Sequence, residues 1–181
     1  MIIIFPVGVQ LPMGLRTAQI SDASVLAAIS IEVWLGTYIR QGVNAFFADY
    51  VLSEFTEKKF RNLIEDSDEH IVVSENKEGL DGFTRISSKS SAPIDNCSTM
   101  EISTLYVQPR HQKSGIGRAL LQDALRHARD ANVPSVWLTT NSENTSAINF
   151  YTSQGFERIG TTHFRIQNQA YLNDVFRYAF P

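Results

Sequence analysis

Apolar residues in this chain recur at two spacings, and the changes from one to the other mark out the elements. Ile116, Leu120, Leu121, Ala124, Leu125 and Ala128 repeat at helical spacing, with Arg118, Gln122, Asp123, Arg126 and Arg129 on the other side. The stretch from Arg118 to about Asp130 therefore predicts a helix with one face on a sheet. β-rich runs flank it, Met100 to Val107 before and Val136 to Thr139 after, giving a strand-helix-strand unit whose parallel pairing needs a right-handed crossover. Upstream, Leu15 to Ala18 predicts a short strand. A helix follows, with Ser21 or Asp22 as N-cap and Val25, Leu26, Ile29, Val33 and Trp34 as its apolar positions. Beyond Gly42, the stretch Ala45 to Val51 and one starting at Glu54-Phe55-Thr56, with Phe60, Leu63 and Ile64 buried, continue as helix and loop. His70 to Ser74 and Leu80 to Ser87 predict a hairpin around the turn at Asn76 to Gly79, and Lys89 to Cys97 is loop. A short helix from Asn144 to Gln154 ends at Gly155. Arg158 to Ile166 and Leu172 to Ala179 form a closing hairpin, with Asn168-Gln169 in its turn.

The helix at Arg118 is entered through Gln112-Lys113-Ser114-Gly115-Ile116-Gly117. Two glycines let a ligand approach the backbone where unpaired amide N–H groups and the positive end of a helix dipole favour an anion, and a pyrophosphate spans one such turn. Lys113, Arg110 and Arg118 add positive charge. A P-loop would need Gly-x-x-x-x-Gly-Lys-Ser/Thr, and a dinucleotide fingerprint would need a third glycine where Leu120 stands; neither fits.

Length and composition narrow the class. The 181 residues, 43% of them hydrophobic, suffice for one domain over 15–181, with 1–14 as an apolar arm that carries no charge. Pro6, Gln10 and Pro12 argue against a signal peptide or a span of roughly 20 apolar residues in that arm, and Met13 is an alternative start. A net charge of −3 argues against nucleic acid as partner. The single Cys97 excludes an internal disulfide, and His70, His111, His127 and His163 show no metal-ligand spacing, so no metal is expected and the location reads as cytosolic. No histidine stands in sequence to activate Cys97, which is set aside as a nucleophile.

The order of parts resembles the GNAT superfamily of acyl-CoA-dependent N-acyltransferases over roughly Leu15 to Phe180. The superfamily's Gln/Arg-x-x-Gly-x-Gly/Ala signature is matched by Gln112 to Gly117, preceded by Val107-Gln108-Pro109. A second family pattern is matched by Asn141, Asn144, Ala147, Tyr151, Gly155 and Phe156. The resemblance implies a mixed α/β fold: a central, mostly antiparallel sheet of six to seven strands flanked by helices, with a parallel pair splayed at the acyl-CoA groove. It implies acetyl-CoA as cosubstrate, its pyrophosphate on the amides of Gln112, Lys113, Ser114, Gly115, Ile116 and Gly117 with Arg118 nearby. Its pantetheine arm would lie along Leu105, Tyr106 and Val107, near Asn144 and Ala147.

By the same resemblance Tyr151 donates a proton to the leaving thiolate, and Glu101 stands where several members carry a general base, others using a water chain. Strand alternation would put Glu101, Ser103 and Leu105 on one face if no bulge intervenes. The amine attacks the thioester directly in a ternary complex, through a tetrahedral intermediate. The acceptor side is expected around Trp34 and Tyr38 and around His163, Phe164 and Tyr171. Acidic Glu32, Asp49 and Glu54 favour a cationic small amine such as a polyamine; a peptide N-terminus or lysine is the alternative acceptor, and a CoA-binding sensor the alternative function. A homodimer is common in the family.

Overall fold

The computed structural model describes residues 14–39 and 41–181. The expected apolar arm up to Met13 lies outside these residues. Gly14, at its end, takes a φ of 72° and its carbonyl accepts from the Glu75 amide.

Seven strands form one sheet in the order β1-β2-β3-β4-β5-β7-β6. They are β1 (Leu15–Thr17), β2 (Glu69–Glu75), β3 (Leu80–Ser87), β4 (Glu101–Val107), β5 (Ser135–Asn141), β6 (Glu157–Ile166) and β7 (Gln169–Ala179). Every neighbouring pair is antiparallel except β4 and β5. Helices α1 (Ala23–Tyr38), α2 (Ala45–Glu54), α3 (Glu57–Glu65), α4 (Ile116–Asp130) and α5 (Thr145–Ser153) cover the sheet. The closing turn is Gln167-Asn168, one residue earlier than expected, because Ile166 pairs with Gln169 and Gln167 takes a φ of 51°.

Strand alternation divides the core between the two faces. On one, Ile86, Ile102, Val136, Leu138 and Phe176 pack on Leu121, Ala124 and Ala128 of α4 and on Tyr151 of α5. On the other, Ile71, Val73 and Phe83 pack on Leu26, Ile29 and Val33 of α1 and Phe60 of α3. The segment Ile20–Tyr38 is long and apolar enough to cross a membrane by length and composition, but burial on two sides accounts for it. Ala27 and Ile29 meet the sheet-side core, while Trp34, Ile31 and Leu35 meet Val51 of α2 and Ile166.

Asp22 stands at the N-cap position of α1 as expected, but its side chain makes no capping hydrogen bond there. Both its oxygens bind the Arg16 guanidinium, at 2.7 and 3.0 Å, and one accepts from Gln19 N, so the Arg16 pair holds its carboxyl below the usual range. Asn44 and Thr56 cap α2 and α3 instead, accepting from Phe47 and Lys59 amides.

The β3–β4 connection reaches across the α1 face of the sheet. The Asn96 carbonyl accepts from Arg177 of β7, and Ile94 seats on Gly160 of β6, where a Cβ would fall 2.2 Å from its Cδ1.

At Gly82, a Cβ would fall 2.7 Å from the Tyr106 carbonyl oxygen and 3.3 Å from Val107 Cα. Gly82→Ala is expected to cost about 1–3 kcal/mol of stability, as overpacking against backbone does; an unchanged denaturation midpoint would show that β3 and β4 can part freely.

Candidate active site

Pairing between β4 and β5 stops almost where it starts. Glu101 opposite Trp137 is the only register pair between them, supported by Trp137 N donating to Met100 O at 3.2 Å, whereas β5 pairs with β7 at seven positions. From there the strands diverge towards Val107 and Asn141. The gap exposes one edge of β4, a row of backbone groups that an extended ligand can pair with.

A β-bulge shapes that edge. Arg85 pairs with Thr104 but Ile86 with Ile102, which leaves Ser103 as the extra residue. The bulge overturns the expected alternation. Glu101 stands on the α1/α3 face opposite Ser87, Tyr106 also contacts that side, and Leu105 packs with Ile116 and Leu120 on the α4 side. Ser103 and Leu105 thus fall on different faces.

At the open end lies the start of α4. Gly115 is its N-cap at φ 94°, no side chain caps the helix, and Lys113 also has a positive φ of 63°. A Cβ on Gly117 would lie 3.7 Å from Val107 Cγ2 and 3.9 Å from Phe150 Cζ, in ordinary contact with the corner between β4 and α5. Gln112 donates to the Val107 carbonyl and Ser114 to that of His111, which folds the loop back on β4. Arg110 does not supply free charge here. It pairs with Glu32 of α1 at 3.5 Å, and Gln108 donates to the other Glu32 oxygen at 2.6 Å.

Asn144 is the N-cap of α5, its side-chain oxygen accepting from Ala147 N at 3.1 Å. That cap sets the helix which carries Tyr151, 8% exposed among Phe150, Phe156 and Phe176. Tyr151 approaches from the α4/α5 face, and Tyr38, Tyr50 and Tyr106 from the other. Burial raises the pKa of all four phenols, Tyr50 to about 12. Tyr38 raises Tyr151 further, and Tyr106 is raised further by Tyr38, Tyr50 and Tyr151, so Tyr106 lies within electrostatic reach of the other three phenols. All four are protonated donors at neutral pH. Tyr50 and the side chain of Tyr106 escaped sequence reasoning; the only signal was the aromatic density around Tyr50.

Glu101 is at the closed end. Burial raises its pKa; a Ser90 hydrogen bond and the Arg85 guanidinium act against this, and the Glu69 carboxylate with it. Burial also pushes the Cys97 thiol up, leaving it protonated and unreactive.

Where the acceptor is expected, the Trp34 ring lies tilted against Tyr38, Phe47 and Tyr50, with ring centroids 4.9, 5.9 and 5.0 Å away, and Tyr171 and Phe164 pack on the same cluster. His163 does not join them. It pairs with exposed Leu172 while its neighbour Phe164 pairs with Tyr171, so alternation turns His163 to the opposite face. Of the acidic residues expected to attract a cation, Glu32 is bound as above and Glu54 pairs with Lys59 at 2.8 Å. A cavity of about 330 Å3 between α3 and the sheet is floored by Ser30, Arg85, Thr104 and Tyr106 and walled by Phe55 and Phe60. Among the described residues no cluster of three metal-ligating side chains occurs.

Gly115→Ala is expected to cost about 1–2 kcal/mol, the penalty of a Cβ in the left-handed region; thermal unfolding measures it, and an unchanged Tm would mean that the loop adopts another backbone path.

These features have counterparts in known proteins. The chain is 26% identical over 147 residues to a mycothiol acetyltransferase of Thermobifida fusca, covering 77% of this chain and 44% of that one. It is 34% identical over 91 residues to the N-alpha-acetyltransferase RimI of Mycobacterium tuberculosis, covering 50% and 54%. The chain thus spans about half the length of these relatives. Its fold superposes on the PaiA N-acetyltransferase of Thermoplasma acidophilum, solved in complex with coenzyme A, with a TM-score of 0.70 at 19% identity over 92% of this chain and 98% of that one. The profile of the Acetyltransferase (GNAT) family matches residues 38–156, which hold the bulged strand, the glycine loop and Tyr151, and the chain belongs to that family.

Proposed function

We propose that this protein transfers an acetyl group from acetyl-CoA to a primary amine, with both substrates bound in the gap between β4 and β5. The observation that carries this reading is the juxtaposition along one gap of an uncapped glycine helix start, an unpaired strand edge and a buried tyrosine. The pyrophosphate of CoA fits the amides from Gln112 to Gly117, since Gly115 and Gly117 leave the cradle that side chains would fill. The pantetheine arm fits the free edge of β4 at Leu105, Tyr106 and Val107.

Acetyl-CoA supplies the acyl group already activated as a thioester. The amine reaches it from the α1/α3 face, losing a proton to Glu101 so that nitrogen has a free electron pair as the C–N bond forms. When the C–S bond breaks, the electron pair goes to sulfur and Tyr151 delivers its hydroxyl proton there, while the second proton that the nitrogen sheds on becoming an amide restores the phenol by way of solvent. A raised phenol pKa does not defeat this role, because the burial that penalises a phenolate penalises a thiolate beside it as well.

For the acceptor, the wall formed by Trp34, Tyr38, Tyr50, Phe164 and Tyr171 suits an amine carried on an apolar or aromatic body, and a cation over a ring face is itself stabilised. Both a small amine and a peptide N-terminus meet this description. A polyamine draws no support from Glu32 and Glu54, whose carboxylates already have partners.

Calorimetry with acetyl-CoA, followed by thiol release against amines and amine-bearing peptides, tests the reading. Tyr151→Phe is expected to lower kcat by roughly 100-fold while acetyl-CoA affinity stays within about a factor of two, because the ring and its packing remain. Unchanged turnover would remove Tyr151 from the chemistry. Binding without thiol release on any acceptor would favour a CoA-binding sensor over an enzyme.

A further inference from the structure

One row of side chains crosses the sheet at the closed end of the gap. Glu69 of β2, Ser87 of β3, Glu101 of β4, Trp137 of β5, Arg177 of β7 and Glu157 of β6 stand in direct register. Register partners share a face, here the one towards α1 and α3. Glu69 and Glu101 are two strands apart, a backbone separation of roughly 10 Å, and the residue between them is a short serine.

Glu69 is held firmly in that row. Its two carboxylate oxygens are each 2.8 Å from Ser87 Oγ, Arg85 Nη1 approaches at 3.4 Å, and its side chain is only 13% exposed. Ser87 Oγ is in turn 3.2 Å from Ser103 Oγ, the bulged residue whose hydroxyl also donates to the Arg85 carbonyl. The network therefore ties a second carboxylate to the bulge of β4.

We propose that Glu69 is a positioning residue for Glu101, its fixed negative charge acting across the short Ser87 side chain to make Glu101 a stronger base towards the acceptor amine. The inference rests on the reading of Glu101 as the base. The charged groups around Glu101 divide by strand. Burial favours protonation most; a Ser90 hydrogen bond and, on β3, Arg85 oppose it, and on β2 Glu69 favours it. Lys89 of the following loop is bound to Asp68, and Arg177, on the far side of β5, donates to the Asn96 carbonyl. Glu69 is thus the neighbouring anion that pulls Glu101 towards the basicity an amine's proton requires, since a carboxylate in its ordinary range is a weak base at neutral pH.

The carboxyl 13C resonance of Glu101, titrated by NMR in the full chain, reads this coupling without any acceptor. Glu69→Gln is isosteric and removes the charge; it is expected to move the Glu101 midpoint down by about one pH unit. Glu69→Asp keeps the charge and is expected to leave the midpoint near that of the wild type, which a purely structural role would not produce. The same variants and Glu101→Gln are then assayed for thiol release against pH with whichever amine of the panel is turned over. Loss of the acidic limb in Glu101→Gln, with a limb moved to lower pH in Glu69→Gln, supports the proposal. A Glu101 midpoint that stays put in Glu69→Gln overturns it while leaving the base reading intact. An unaltered limb in Glu101→Gln overturns the base reading, and if Glu69→Gln then loses the limb, Glu69 is itself the base rather than a residue acting through another.

Discussion

The site depends on a hydrogen-bond ladder that is left unmade. Parallel strands gain stability pair by pair, and β4 and β5 give up all but one of their pairs, at Glu101 and Trp137. Such a loss is tolerable only if the strands are held from their other sides. The antiparallel pairing of β3 with β4 and of β5 with β7 does that, and the packing of Ile102, Val136 and Leu138 on α4 joins the two halves beneath the gap. Buried backbone groups seldom go without partners. An edge kept open in the middle of a sheet is therefore a place for a ligand to supply them.

From that constraint the positions of the other parts follow. The bulge at Ser103 changes which side chains of β4 face α1 and α3, putting Glu101 and Tyr106 on that side and Leu105 on the other. The glycine loop closes the open end, and α5, anchored by its Asn144 cap, carries Tyr151 on the face opposite to Tyr38 and Tyr106, within their electrostatic reach.

Much of this was legible in the sequence, and the reason differs by feature. The helix at α4 and the strands around it announce themselves by period, and the glycine and asparagine-tyrosine motifs resemble a family because their spacing is tied to backbone geometry. The bulge left no trace, since one extra residue in a strand has no composition of its own, and it reversed the facing of Leu105. His163 was grouped with Phe164 by nearness in sequence, whereas a strand separates neighbours. Asp22, Glu32 and Glu54 were read without their partners because Arg16, Gln108 and Lys59 are recognised as such only once the chain has folded. Glu69 had no local signal; its meaning comes from a register across three strands.

The bond between Gln108 and Glu32 joins α1 to the loop that leads into the start of α4. Glu32 belongs to the helix that carries Trp34 and Tyr38, and Gln108 to the loop that leads into the glycine pair. A ligand that acts on that contact from one end has its own affinity altered by the same factor when a second ligand acts on it from the other, because coupling between two binding equilibria is reciprocal. If both ends hold ligands, an affinity measured at one carries an implicit statement of whether the other was filled.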